Sequence, residues 1–110
     1  MPGFDFDLTL DHSGSETRIA VRGELDLGTA PELERALETA RAAGRPIVLD
    51  LRELSFMDST GVRLLLIAAE DARDGVPLRM LGPASGDALV ALQETGIASL
   101  LPLSEEDGAA

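Results

Sequence analysis

Phe4, Phe6, Leu8 and Leu10 alternate with Asp5, Asp7 and Thr9, the two-residue period of a strand with one buried face. His12-Ser13-Gly14-Ser15 is turn chemistry. Ile19 and Val21, set between Arg18, Ala20 and Arg22, form a second alternating strand, so the first two are expected to pair as an antiparallel hairpin with His12 solvated in the turn. The period then changes. Thr29-Ala30-Pro31-Glu32 reads as a capping box, with Thr29 accepting from the amide three residues on and Glu32 reaching back. Pro31 in a first turn loses no intrahelical bond. Leu33, Ala36, Leu37 and Ala40 follow at helical spacing, with Glu34, Arg35, Glu38 and Arg41 facing outward, until Gly44 and Pro46 stop the helix. Ile47-Val48-Leu49-Asp50-Leu51 is a short β-rich run that suits a central strand covered on both faces.

Past Asp58 and Ser59, the residues Val62, Leu65, Leu66 and Ala69 recur at helical spacing as far as Asp74-Gly75. Pro77 to Leu81 is a further strand, stopped by Gly82-Pro83. Ser85 caps a helix carrying Ala88, Leu89 and Leu92 and closed by Thr95-Gly96. Leu100, Leu101 and Leu103 add a last short strand or simply pack, and residues 104–110 read as a flexible acidic tail. This order predicts an α/β fold: one mixed sheet of four or five strands with three to four helices as crossovers. At 110 residues the chain has room for one core, so a single domain is expected over residues 1–110, its core running from about residue 4 to residue 103.

Composition narrows the chemistry. The formal net charge is −11, and all nine basic residues are Arg, lying between Arg18 and Arg79 so that both ends of the chain are purely acidic. Such a distribution places a partner surface centrally, or serves solubility alone. Without Lys there is no Schiff base, no P-loop and no receiver-type aspartyl-phosphate site, although Asp50 ends an apolar strand as a receiver aspartate would. Without Cys there are no disulfides or thiolate chemistry, and a single His12 excludes multi-His metal sites. The longest apolar run, Leu64 to Ala69, is far short of the roughly 20 residues of a membrane span. The N-terminus carries an acid where a signal peptide carries basic residues, so a cytoplasmic protein is expected. The negative charge disfavours nucleic acid and anionic membrane as partners. No phosphate-cradling glycine loop calls for a nucleotide, and no cofactor is expected.

Leu54-Ser55-Phe56-Met57-Asp58-Ser59-Thr60-Gly61-Val62 carries the most information. It lies between a buried strand and a helix, where open α/β sheets gather their ligand sites. Asp58, Ser59 and Thr60 therefore fall where free amides and the positive end of a helix dipole point outward. A phosphoryl group on Ser59 is tolerated there if the first-turn amides bond its oxygens. The competing reading is structural: Asp58 or Ser59 as an N-cap, with Gly61 easing close packing. Phe56 and Met57 are expected in the core beneath this loop, and Arg52 and Arg63 are expected to balance Glu53 and Asp58.

Gly23-Glu24-Leu25-Asp26, Val48-Leu49-Asp50-Leu51 and Leu54 to Gly61, in this order and spacing, resemble the STAS family of anti-sigma factor antagonists. The resemblance runs from about Phe4 to Leu103. It implies that Ser59 is phosphorylated by a partner that is both anti-sigma factor and serine kinase, and that a metal-dependent phosphatase restores the hydroxyl. It also implies that Asp26, Asp58, Thr60, Gly61 and Val62 face that partner. Thr60 departs from the family, which often has a second Ser there. The protein is then a substrate and not an enzyme. A phosphate adds about −1.5 to −2 charge, which is expected to block docking and leave the fold intact. The rival within the family is a non-phosphorylated STAS subunit of a lipid-transport or stressosome-like assembly. A serine hydrolase is disfavoured because Gly-x-Ser-x-Gly is absent and His12 is distant in sequence.

Overall fold

The structure, a computed structural model, describes residues 6–104. Strand β1 (Phe6–Asp11) pairs antiparallel with β2 (Thr17–Leu25), as the alternating pattern predicts. Phe4 and Asp5 lie outside the described residues. Helix α1 (Ala30–Ala43) leads to β3 (Ile47–Met57), and α2 (Ser59–Asp71) leads to β4 (Leu78–Leu81). After α3 (Gly86–Thr95) and a 3-10 turn (Ile97–Leu100), β5 (Leu103–Ser104) pairs with β4. The five strands lie in chain order, β1 antiparallel and the rest parallel. Ser104 is thus a strand residue rather than the start of a tail, and residues 105–110 lie outside the described residues.

One apolar cluster holds the fold together. Leu33, Ala36, Leu37 and Ala40 of α1, Leu64, Leu65 and Ala68 of α2, and Ala88 and Leu92 of α3 meet Ile19, Val21, Ile47, Leu49, Leu51 and Met80 from the sheet. The helical spacing seen in the sequence is the buried face of α1, but α2 is turned: Leu64, Leu65 and Ala68 are its buried residues, and Val62, Leu66 and Ala69 are only half-buried against the core. Helix α2 stops at Asp71, earlier than the Asp74-Gly75 signal.

Two expectations give way. The central strand β3 is not sandwiched between helices. The register sets Arg18, Val48 and Arg79 abreast on the sheet's other face, with Ala20, Asp50 and Leu81 in the next row. Val48 and Leu81 are buried there without joining the helical cluster. Arginines cover this face: Arg18 bonds Asp50 at 3.0 Å, Arg52 reaches the same carboxylate at 3.0 and 2.8 Å, and Arg79 bonds Glu16 at 3.3 Å. Long side chains can bury their stems while their charged heads stay wet, which suits a β-branched residue such as Val48 between two arginines. Arg52, expected to balance Glu53, therefore pairs with Asp50. The strand β3 also runs six residues past Leu51. Against β2 it carries an extra residue between Asp50 and Glu53 and another between Leu54 and Phe56. These bulges stretch the spacing of buried positions from two (Ile47, Leu49, Leu51) to three (Leu51, Leu54, Met57), so the two-residue period fades where the strand does not.

His12 opens the β1–β2 turn with its Nδ1 3.0 Å from the Thr17 hydroxyl, while Arg45 donates to the carbonyls of His12 and Gly14. The imidazole is a structural tie rather than a solvated turn residue.

The two guanidinium partners hold the Asp50 carboxyl below the usual carboxylate range, Arg52 contributing most. Because the folded-state value is depressed, this stabilisation is complete above the unfolded carboxylate range and is lost as pH falls through the folded value. Asp50→Asn is expected to lower stability by about 1–2 kcal/mol at pH 7. Urea melts of both proteins should converge as the pH is taken below about 4.

Candidate functional site

The parallel pairing of β2 with β3 ends on Leu25 beside Met57, which sets the loops leaving the two strands next to each other. The Asp58 amide donates to the Leu25 carbonyl at 3.2 Å and locks that junction. This end of the sheet lies far from His12: Thr17 and Leu25 are eight residues apart along one strand, about 26 Å. No histidine base can serve Ser59, and a hydrolase reading has no structural footing.

Asp58 is the N-cap of α2. Its Oδ1 accepts from the amides of Thr60 at 2.9 Å and Gly61 at 3.2 Å, and its carbonyl accepts from Val62 at 3.0 Å. Ser59 is the first residue of the helix and is exposed, whereas Asp58, Thr60 and Val62 are half-buried and Gly61 is buried. The expectation that first-turn amides would be open to a phosphate therefore fails at two positions: Asp58 already occupies them.

Gly61 has a packing role. A Cβ there would sit 2.6 Å from Cγ of Met57 and 3.0 Å from both Cγ and the carbonyl oxygen of Leu25. Only a residue without a side chain lets the first turn of α2 press against the ends of both strands. Met57 is buried beneath the loop as expected, but Phe56 is 37% exposed and is not core. The bulge between Leu54 and Phe56 assigns the inward position to Met57.

The neighbouring loop is built around Asp26. Its carboxylate accepts from the amides of Gly28 at 3.0 Å and Thr29 at 3.1 Å. Thr29 does not form the capping box read from the sequence. Its hydroxyl donates to the Glu24 carbonyl at 2.8 Å and accepts from the Asp26 amide at 2.9 Å, which leaves the Glu32 amide bonded to the Thr29 carbonyl. Local competition explains the difference: the Asp26 carboxylate takes the Thr29 amide and the Asp26 carbonyl takes the Ala30 amide, while the threonine hydroxyl ties the loop back to β2. Ser85 likewise occupies an N-cap position without a side-chain bond. Between these ties Leu27 is held out at 75% exposure. Sequence reasoning passed over Leu27, although a leucine between Asp26 and Gly28, outside any strand or helix period, is the signal that would have found it. Arg63 is exposed on α2 and makes no ion pair with Asp58 among the described residues.

The site is thus an exposed hydroxyl at a helix start, flanked by two carboxylates that are both spent on backbone amides, beside one exposed leucine. Among the described residues no group of His, Cys, Asp or Glu is arranged to hold a metal ion, and no helix is long and apolar enough to cross a membrane.

Comparison with known proteins places this arrangement. The family model described as "Mlab, STAS domain" matches residues 8–102, and the chain belongs to the STAS domain family. It is 31% identical over 91 residues to the anti-sigma-B factor antagonist of Listeria monocytogenes, covering 82% of this chain and 80% of that protein. It is 47% identical over 49 residues to the anti-sigma-B factor antagonist of Staphylococcus aureus, a match covering 44% of this chain and 45%, less than half, of that relative's length. Among solved structures it resembles an anti-sigma factor antagonist from Mycobacterium paratuberculosis (TM-score 0.74, 25% identity, 94% of this chain and 88% of that one). It also resembles the Bacillus cell fate determinant SpoIIAA in its phosphorylated form (TM-score 0.62, 26% identity, 92% of this chain and 94% of that one).

Replacing Gly61 with Ala should force the start of α2 away from Leu25 and Met57, at a cost of about 1–3 kcal/mol. Urea unfolding measures the loss, and the amide resonances of Asp58 to Val62 should shift most in a two-dimensional NMR spectrum.

Proposed function

We propose that this protein is an anti-sigma factor antagonist switched at Ser59. The unphosphorylated form binds an anti-sigma factor that is also a serine kinase, and the sigma factor is released. The kinase then closes the switch. The Ser59 oxygen attacks the γ-phosphorus of ATP, the bond to ADP breaks, and the hydroxyl proton passes to a base on the kinase. A metal-dependent phosphatase hydrolyses the ester with water, releasing inorganic phosphate and restoring the hydroxyl.

The observation that carries this reading is the exposure of Ser59 on the first turn of α2, next to the Asp26 loop, in a chain similar to named antagonists. Asp26, Asp58, Thr60, Gly61 and Val62 divide the work. Asp26 and Asp58 shape the two loops, Gly61 presses the helix against them, and Thr60 and Val62 are half-buried beside the acceptor. The energetics favour a block between molecules over a change of fold. A charge at a helix start is locally favourable by about 0.3–1 kcal/mol. A partner surface closing over an unpaired dianion must strip its water, at a cost of several kcal/mol, and each 1.4 kcal/mol is about tenfold in affinity.

Support for the second reading, a STAS interaction subunit that is never phosphorylated, comes from the matching family model, whose description names no antagonist. One assay separates the two. Incubated with ATP and candidate anti-sigma kinases, the antagonist gains about 80 Da, the mass of one phosphoryl group, at Ser59. Ser59→Ala should bind the same kinase at wild-type strength without modification, and Ser59→Asp should bind at least tenfold more weakly. A Ser59→Asp protein that binds as tightly as wild type counts against the switch.

A further inference from the structure

A helix begins with four amides that lack intrahelical partners, and at α2 those belong to Asp58, Ser59, Thr60 and Gly61. Three are already taken. The Asp58 amide bonds the Leu25 carbonyl at 3.2 Å, and the Thr60 and Gly61 amides bond the Asp58 carboxylate at 2.9 and 3.2 Å. Only the amide of Ser59 itself is left over. A phosphate on the Ser59 oxygen would ordinarily fold onto such a helix start, accept two or three amide bonds and hide part of its charge. In the neighbouring loop the Asp26 carboxylate likewise occupies the Gly28 and Thr29 amides.

We infer that Asp58 is a positioning residue for the switch: by filling the amides of Thr60 and Gly61 it keeps a phosphate on Ser59 off the helix start and turned outward into solvent, where a partner must meet it. The inference rests on the reading of Ser59 as the modified residue. Occupation of the amides is the operative property. The negative charge of Asp58 is secondary, so an asparagine, which accepts the same amide bonds through its side-chain oxygen, preserves the device. A glycine, which is nearly as good an N-cap but has no side-chain acceptor, abolishes it.

The test uses the full chain with phosphoserine installed at position 59 during translation, so that no kinase is needed. The amide protons of Thr60 and Gly61 are followed by NMR while the phosphate is titrated from pH 5 to 8, across its second ionisation near 6. In the wild-type background and in Asp58→Asn these two amides should stay where they are as the phosphate ionises. In Asp58→Gly both should move downfield with the phosphate's own titration curve. If they follow the phosphate in the wild-type background, the inference is overturned, whatever the folding of any variant. It is also overturned if a folded Asp58→Gly protein leaves them still. In binding assays with the anti-sigma kinase, phosphorylated Asp58→Gly should regain on the order of tenfold in affinity over phosphorylated wild type, the value of one charge-assisted hydrogen bond recovered, while phosphorylated Asp58→Asn should not. A failure of Ser59 phosphorylation by every kinase would remove the proposed function but leave the amide result standing, so the two ideas fail separately.

Discussion

The bond from the Asp58 amide to the Leu25 carbonyl joins the ends of two parallel strands, and the geometry of the site follows from it. It continues the β2–β3 ladder one step beyond the last paired residues, Leu25 and Met57, into the loops that follow. Two loops 32 residues apart in sequence are thereby held side by side, and the helix after the second loop must start within van der Waals reach of both strands. That closeness is what excludes a side chain at position 61. The constraint then propagates outward. With the helix start fixed against Leu25 and Met57, its cap has one orientation, and the residue after the cap faces solvent.

Most of the architecture is legible in the sequence because its elements bury regular faces. The alternation of Phe6, Leu8 and Leu10 predicts β1, and the spacing of Leu33, Leu37 and Ala40 predicts α1; both are the positions packed on the core. The misreadings share a physical origin, since each occurs where side chains or bulges replace regular secondary structure. The β-rich run visible in the sequence covers only Ile47 to Leu51 of β3, because beyond it two bulges change the buried spacing. Its second face was expected to meet a helix because apolar residues run through Val48, yet arginine stems and the Asp50 ion pairs finish that surface. Nothing in one sequence distinguishes a helix from a row of arginines as the cover of a short strand.

The site was legible in composition more than in bonding. Asp58, Ser59 and Gly61 stand where strand-to-helix reasoning puts them: Asp58 caps, Gly61 packs, and Ser59 is exposed. The capping box at Thr29 failed for an instructive reason. A threonine and a glutamate at that spacing stabilise a helix start only when no better acceptor is present, and three residues upstream Asp26 supplies one that takes the Thr29 amide Glu32 would have reached. Motif spacing ranks candidates, but the competition among acceptors is settled by where the chain turns.

The same competition bears on charge. A chain with a net charge of −11 and two aspartates flanking its proposed contact would seem to present a negative surface there. Each of those carboxylates instead accepts two backbone amides, so its charge is partly compensated by the amide dipoles it faces, and Leu27, next to Asp26 in the chain, is exposed. The unmodified face is therefore less hostile to a partner than its sequence suggests. In the proposed switch, the compensation at this end is nearly used up before any phosphate arrives. One added dianion then changes the character of the surface far more than one charge added to an already acidic protein would be expected to, because the Thr60 and Gly61 amides that would ordinarily answer it are already bonded to Asp58.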